Sequence, residues 1–555
     1  MKKDYWLIFF ILVFLASRFL GLGQIYHQDE YKWAMIVNPV FGLESESNHP
    51  PLVALLYHSV GQLAGYEHLR VLPLIFGALA LLLAFLLAQK LYGRQAAIFA
   101  GVFLFVSVYN FIASLQIDID GALLPFFGLA AVYAFYKMDF SEKSRNNYFW
   151  GSVLLLAVVG GFLIKLSFVL WLAALATEYF LLYRPAPKVW LRLAGYIGGA
   201  VVLAGSAVFL MNAFFPLAQV SRFLLYVKNF PLLNLASRHW GQVGFLTLKS
   251  LLLVSPLLLG GCLLLGRNWR RYRFWLIFLF YNSLFYLVIF DFSSRTMERY
   301  FMFLIIPLAI VGGSLLADNL AVLKMQRFWP KLGAALIVLA GSAWFLLSLP
   351  ARVLPLIPKT AYLAQLKNFD FNFLIPITGG SGPIGFYVLA SLALSFFVIS
   401  FLSLLVFRLA RNSFFRQWLL IIFLAAGLVY NFALDAEFLA GWFYGQADAV
   451  AKNALNFTIN NPEIKEVITY YDTGGYELNI NKKYSDERRF YTNEMFQEEN
   501  QQLFERYEGY YLVVDFPKIA ENSFYWDYFK TCQTEYSTGD KKISAYVFDC
   551  RGGLK

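Results

Sequence analysis

Residues 5–22 read YWLIFFILVFLASRFLGL, and they are followed at once by a polar stretch, His27-Gln28-Asp29-Glu30-Tyr31-Lys32. The apolar run follows Met1-Lys2-Lys3, as the basic start of a signal peptide would. It is long, however, contains Arg18, and has no small-residue cleavage site after it. It therefore reads as a retained membrane helix. Apolar runs of about 20 residues, enough to cross a bilayer, recur along the chain.

Composition agrees. Of the 555 residues 59% are hydrophobic and 15% charged, where soluble domains carry about 25% charged residues. Aromatics make up 19%, as lipid-facing helices with interfacial belts would. The net charge of +11 lies largely in short loops between apolar runs. It sets orientation and is not a nucleic-acid signal.

Candidate spans fall near 5–23, 69–89, 95–113, 119–137, 148–164, 166–183, 191–214, 244–266, 273–290, 299–317, 331–350, 384–407 and 417–435. With the amino end cytoplasmic, one set of loops collects Lys90, Arg94, Lys143, Arg145, Arg184, Lys188, Arg267, Arg270, Arg271, Lys324, Arg327, Arg408 and Arg411. The opposite loops are poorer in Lys and Arg. The positive-inside rule thus favours thirteen spans, a cytoplasmic amino end and an extracytoplasmic carboxyl end. The expected organisation is a transmembrane domain over 1–435, with outer loops at 24–68, 215–243 and 351–383. An extracytoplasmic α/β domain would follow over 436–555. In that tail Glu466–Tyr471, Tyr510–Phe516 and Ser544–Phe548 read as strands, and Asp448–Asn460 and Glu494–Tyr507 as helices. Cys532 and Cys550 both lie there and could pair in an oxidising compartment. Cys262 lies in an apolar run.

Several polar points fall at the outer ends of the expected spans. Asp29 and Glu30 are adjacent, so on a helix they diverge by about 100° and one is the better placed for any given ligand. Asp118 and Asp120, in Gln116-Ile117-Asp118-Ile119-Asp120-Gly121, interrupt an otherwise apolar connection. Either can cap the following helix. Lys165 sits between two spans with no charge near it in sequence; it suits an acid or a lipid phosphate. Arg295 and Arg299 precede the tenth span, and arginine meets phosphate through paired hydrogen bonds. His27, His49, His58 and His68 cluster in or near the first outer loop. With acids nearby they could bind a divalent metal, although no tight spacing supports it and no cofactor is otherwise required.

One carboxylate is enough for one reaction class. If a sugar leaves from a lipid phosphate, the leaving group is already a good anion and needs cations, not a general acid. Only the acceptor hydroxyl needs a base. A hydrolase would need two carboxylates set apart across the bond.

The ordered set of residues resembles the membrane glycosyltransferases that use polyprenyl-phosphate sugars, in the branch of protein O-mannosyltransferases and lipid A aminoarabinose transferases. The set runs Asp29-Glu30, then Pro50-Pro51-Leu52, then Asp120 before Phe126-Phe127, then Gly161-x-x-x-Lys165, then Arg299-Tyr300 before Pro307. It covers about the first 320 residues. The resemblance implies an inverting glycosyltransferase with Asp29 as catalytic carboxylate. Glu30, Asp120, Asp118 and His49 would position donor or acceptor, and Lys165, Arg299 and Arg295 would bind the lipid phosphate. The partners implied are a polyprenyl-phosphate-linked sugar donor, a lipid, glycan or protein acceptor, and membrane lipids. Two departures stand out. His49 occupies the place of a lysine before Pro-Pro, and Lys32 that of an arginine three residues after the acid. The alternative is a transporter or lipid flippase; the absence of an internal repeat weakens it.

Overall fold

The structure is a computed structural model. It describes the chain except 1–4, 28, 42–49, 139–144, most of 184–239, 267–268, 291–297, 324–327, 378–384, 493–495 and 553–555. Most of the expected span at 191–214 and nearly all of the expected loop at 215–243 fall outside the described residues.

The chain is mostly helical. Among the described residues nine helices are long and apolar enough to cross a membrane, ten if one bent pair counts as a span. Three shorter apolar helices, Leu7–Phe19, Leu52–Ala64 and Leu123–Lys137, accompany them. Two compact units form: Met1–Leu22, Met35–Phe328 and Ser403–Phe423 make the first; Gly23–Ala34, Trp329–Leu402 and Leu424–Lys555 make the second.

In the first unit the Ile305–Leu323 helix packs on the Arg94–Val106 and Trp240–Leu263 helices. Small residues allow it: a Cβ on Gly313 would meet the Ala100 backbone at 2.5 Å, and one on Gly261 would meet Gly312 Cα at 2.9 Å. Close backbone approach of this kind is how helices associate where lipid removes the hydrophobic drive.

The span expected at 95–113 is broken. The Arg94–Val106 and Val108–Leu115 helices meet at Ser107 with a 66° bend. A break leaves carbonyls without helical partners, which is costly inside a bilayer. Here the chain supplies partners. Asn110 Nδ2 donates to the Leu104 carbonyl at 2.8 Å, and Arg18 Nη2 to the Phe105 carbonyl at 3.0 Å. Arg18 is fully buried, with Phe14 and Phe111 about its guanidinium at 4.1 and 4.0 Å. The second half-helix delivers the chain into the turn that carries Asp118 and Asp120.

The stretch expected as an outer loop at 24–68 is largely helical, with helices at Asp29–Val37 and Pro51–Ala64. Pro51 suits a first turn, where its missing N–H has no partner to lose. The stretch expected as a loop at 351–383 also holds structure. Strand β1 (Arg352–Val353) runs parallel to β2 (Phe373–Ile377), which pairs antiparallel with β3 (Phe386–Leu389). A span was expected from 384, but the helix begins at Ala390. Phe386-Tyr387-Val388-Leu389 is a short apolar run whose periodicity does not separate strand from helix; its aromatic and β-branched content suits the strand.

The tail folds as an α/β layer within the second unit. Its sheet has the order β5-β4-β6-β8-β7. β4 (Val467–Tyr470) is parallel to both β5 (Tyr484–Phe490) and β6 (Tyr510–Val514). β8 (Ile543–Asp549) pairs antiparallel with β6 and with β7 (Gln533–Asp540). Aromatic rings fill the core, among them Phe490, Phe504, Tyr511, Phe529 and Phe548. Cys532 and Cys550 form a disulfide at the ends of the β7–β8 hairpin. β5 and β7 are polar strands, which no alternation of apolar residues announced.

Candidate functional site

The candidate residues divide between the two units. Asp118, Asp120, Lys165 and Arg299 lie in the first; Asp29 and Glu30 lie in the second. His49 and Arg295 lie outside the described residues.

In the first unit the acids sit in the turn between the Val108–Leu115 and Leu123–Lys137 helices. Both are buried. Lys165 occupies the single extended residue (φ −159°) between the Arg145–Ile164 helix and the short 3-10 turn that follows. Gly161, one turn before it, leaves room for the Phe168 ring, which a Cβ would meet at 2.3 Å. That packing folds the chain back and turns the lysine inward. Its Nζ donates to Asp120 Oδ2 at 2.5 Å and lies 5.1 Å from the centre of the Tyr300 ring. Burial works against the charged ammonium, but Asp120, the buried tyrosines and Asp118 outweigh it and hold the lysine above its usual range.

Arg299 donates to the Tyr300 hydroxyl at 3.1 Å and packs its guanidinium 4.9 Å from that ring. Asp118 is held differently from Asp120. Burial, and then the neighbouring Asp120 charge, push its carboxyl up to about 6, against the opposing pull of Arg299 and Lys165. Tyr57 donates to the Asp118 carbonyl at 3.0 Å, which ties this turn to the Pro51–Ala64 helix. The Oδ2 of Asp118 and the Oε1 of Gln116 are buried without a hydrogen-bond partner among the described residues. Two buried acids thus share one cluster with two partly buried cations, with acceptor atoms left over.

In the second unit Asp29 and Glu30 open the Asp29–Val37 helix, where the dipole favours acids. They diverge as their adjacency requires. Asp29 is partly exposed and pairs with Lys32 at 3.0 Å. Glu30 is fully buried, and its carboxylate accepts the His27 backbone N–H at 3.4 Å, closing the turn that starts the helix. Tyr31 reaches a second cluster that sequence reading did not find. There Asp472, fully buried, accepts from Tyr491 (2.6 Å), Tyr484 (2.9 Å), Arg489 (3.1 Å) and Tyr31 (3.4 Å). Its only sequence signal is the turn-like Tyr471-Asp472-Thr473-Gly474-Gly475 after a strand. Burial and Asp472 raise the Tyr484 and Tyr491 hydroxyls above their ordinary range.

His58 and His68 have partners other than a metal set. His58 Nδ1 lies 2.8 Å from the Val37 carbonyl, and His68 lies 3.8 Å from Glu67. Among the described residues no group of three or more His, Cys, Asp or Glu is placed to hold a metal ion.

Comparison with known proteins gives three findings. Residues 48–211 match the family model described as dolichyl-phosphate-mannose-protein mannosyltransferase. Compared by sequence with curated proteins, the chain finds no match. In fold it is similar to ArnT from Cupriavidus metallidurans over 100% of both chains at 16% identity. The TM-score is 0.57 for ArnT bound to undecaprenyl phosphate and 0.54 for the apo state. A protein O-mannosyltransferase complex of S. cerevisiae bound to its sugar donor aligns with 39% of this chain and 34% of its own at 17% identity, with a TM-score of 0.32. The resemblance read from the ordered motifs is borne out by the match of residues 48–211 to the mannosyltransferase family model and by the likeness of the membrane fold to that of ArnT.

Proposed function

We propose that the protein is an inverting glycosyltransferase that moves a sugar from a polyprenyl-phosphate donor to a lipid, glycan or protein hydroxyl at the outer membrane face. The observation that carries this reading is the Lys165–Asp120–Asp118–Arg299 cluster, with both acids buried, set between helix ends of a fold similar to that of ArnT. The ArnT relative was crystallised with undecaprenyl phosphate, which supports a lipid-phosphate ligand here.

In this reading Lys165 and Arg299, with Arg295, hold the donor phosphate. The acceptor oxygen attacks the anomeric carbon from the face opposite the phosphate. The new carbon–oxygen bond forms as the bond to the phosphate oxygen breaks, and the electron pair leaves with the phosphate. Asp29 takes the hydroxyl proton as general base. A phosphate leaves without a proton from an acid, because its second pKa is about 6. Asp118, Asp120, Glu30 and His49 orient donor and acceptor. Asp118 Oδ2 and Gln116 Oε1 suit ligand hydroxyls, since buried acceptors without donors are costly. The Cys532–Cys550 disulfide supports an extracytoplasmic tail, because such bonds persist in oxidising compartments.

The test is incubation of the purified protein with a panel of polyprenyl-phosphate pentoses and hexoses and with membrane extracts, followed by mass analysis and assignment of the product anomer. Transfer with inversion is expected. Movement of a labelled lipid across sealed vesicles, with no new glycoside, would replace this reading with a flippase.

A further inference from the structure

Gly23, Ile25, Tyr26 and Tyr31 of the segment Gly23–Ala34 each contact the tail. Lys452 Nζ donates to the Gly23 carbonyl at 2.6 Å, and Ile25 N–H donates to Asp448 Oδ1 at 2.7 Å. The Tyr26 ring packs on Tyr476 at 5.2 Å and that of Tyr31 on Tyr484 at 6.3 Å. A Cβ on Gly475 would meet the Tyr31 ring at 3.3 Å. Tyr31 then enters the Asp472 cluster, where its hydroxyl donates to Asp472 and accepts from Arg489 at 2.9 Å.

The cluster is built to hold one position. Tyr471 and Asp472 both take left-handed backbone conformations (φ 57° and 58°) directly after β4. Such conformations are costly for residues that carry a Cβ and persist where the surroundings over-determine them. They aim the Asp472 carboxylate into the cluster, where four side chains converge on it. Fixing Tyr31 fixes more than Tyr31. On a helix, residues two apart point about 200° from one another. With Tyr31 held by the tail, Asp29 is presented on the other side of the same turn.

We propose that Asp472 is a positioning residue for the base Asp29: through Tyr31 and Arg489, the tail sets the rotation of the Asp29–Val37 helix. The tail is then part of the catalytic apparatus without touching the reacting atoms. This rests on the reading of Asp29 as the base.

The experiment compares Asp472→Asn and Tyr31→Phe in the full-length protein by hydrogen exchange of residues 23–37, by kcat against donor KM, and by the acid limb of the pH–rate profile. Asp472→Asn should speed exchange in 23–37 and lower kcat about tenfold or more, with donor KM within about twofold. The acid limb should move, since the base then samples altered surroundings. Tyr31→Phe leaves Asp472 its bonds to Arg489, Tyr484 and Tyr491, so the tail stays folded. It should reproduce the exchange effect with a smaller loss of kcat. Unchanged exchange in both variants overturns the proposal. So does faster exchange with unchanged kcat and pH profile. If Asp472→Asn unfolds the tail, Tyr31→Phe decides alone. Absence of transfer by the unsubstituted protein refutes the glycosyltransferase reading instead, and the exchange data still test the coupling of Asp472 to the Asp29 helix.

Discussion

The ammonium of Lys165 lies 2.5 Å from the carboxylate of Asp120, although 45 residues separate them. Each stands at a break between helices, where the chain leaves its own hydrogen-bond ladder and side chains are turned inward. A buried pair of this kind is asymmetric in its energetics. Its formation is close to neutral, because desolvation of both charges offsets their attraction. Removal of one partner leaves a buried charge alone.

Structure and function can be separated on that basis. Lys165→Met should cost about 3–5 kcal/mol of stability, the penalty for an orphaned buried carboxylate. The double variant Lys165→Met/Asp120→Leu should regain most of it. Transfer should not return, because no ammonium is left for the donor phosphate. Thermal unfolding in detergent and a transfer assay on the same preparations check both halves. A double variant with near-normal transfer would remove Lys165 from the site.

Asp29→Asn isolates the base. Asp29 is partly exposed, and its pair with Lys32 is an i,i+3 surface contact, worth at most about 1 kcal/mol. Asn keeps the size of Asp and the preference for a helix start, so the folded state should be retained. Loss of a general base costs about 10²–10⁴ in rate, so kcat should fall by that factor with donor KM little changed. The measurement is initial-rate kinetics beside the unfolding midpoint. A variant that keeps near-normal turnover would disprove the assignment.

Donor affinity should depend on pH through Asp118. Its carboxyl is pushed up to about 6 by burial and by Asp120. Above that pH the cluster carries the additional negative charge; below it the charge is gone. A donor phosphodiester keeps one negative charge across this range. Its binding should therefore tighten as pH falls from 7.5 to 5.5, by about three- to tenfold for one charge nearby in a partly desolvated site. The folded state should gain stability over the same interval, since a raised acid opposes folding when ionised and that opposition is relieved as pH falls through the folded value. Asp118→Asn should flatten the affinity profile. Donor-dependent fluorescence quenching at several pH values makes the comparison.

How far the sequence could be read follows from what each feature depends on. Spans were legible because a bilayer demands a long apolar run wherever it is crossed. The tail strands β4, β6 and β8 were legible because they are apolar and buried. β5 and β7 were not, since Tyr484–Phe490 and Gln533–Asp540 are polar edge strands placed by their neighbours. Lys165 stood out as a charge in an apolar setting, and Asp120 as an acid in an apolar turn. Their pairing across 45 residues is a property of the fold. Arg18 was visible as a charge near a span end, but its service to the Phe105 carbonyl requires the break at Ser107, which no proline or glycine marks. Asp472 showed only as part of a turn, for a similar reason. Tyr31, Tyr484, Arg489 and Tyr491 have no common spacing, and only the sheet and the Asp29–Val37 helix bring them to one carboxylate.

The Cys532–Cys550 bond makes the last prediction, and it bears on both stability and orientation. Cys532 precedes β7 directly and Cys550 follows β8, so the bond closes the hairpin at its open end over a separation of 18 residues. A loop of that length stabilises a fold by about 3 kcal/mol, chiefly by restricting the unfolded chain. Beside it Phe529 stacks on Phe548 at 4.8 Å, so part of the hairpin end is also held by packing. The double variant Cys532→Ala/Cys550→Ala should lose about 2–4 kcal/mol yet retain the β4–β6 centre of the sheet. Pulse proteolysis of the purified protein should cut the tail at lower denaturant, with fragments ending near β7. Orientation is read from the same residues. Membranes alkylated before and after reduction should show two new sites in the tail after reduction, and the Cys262 thiol should be unaffected by the reductant. Two tail cysteines already alkylated without reductant, in protein taken directly from cells, would place the tail on the reducing side and invert the proposed topology.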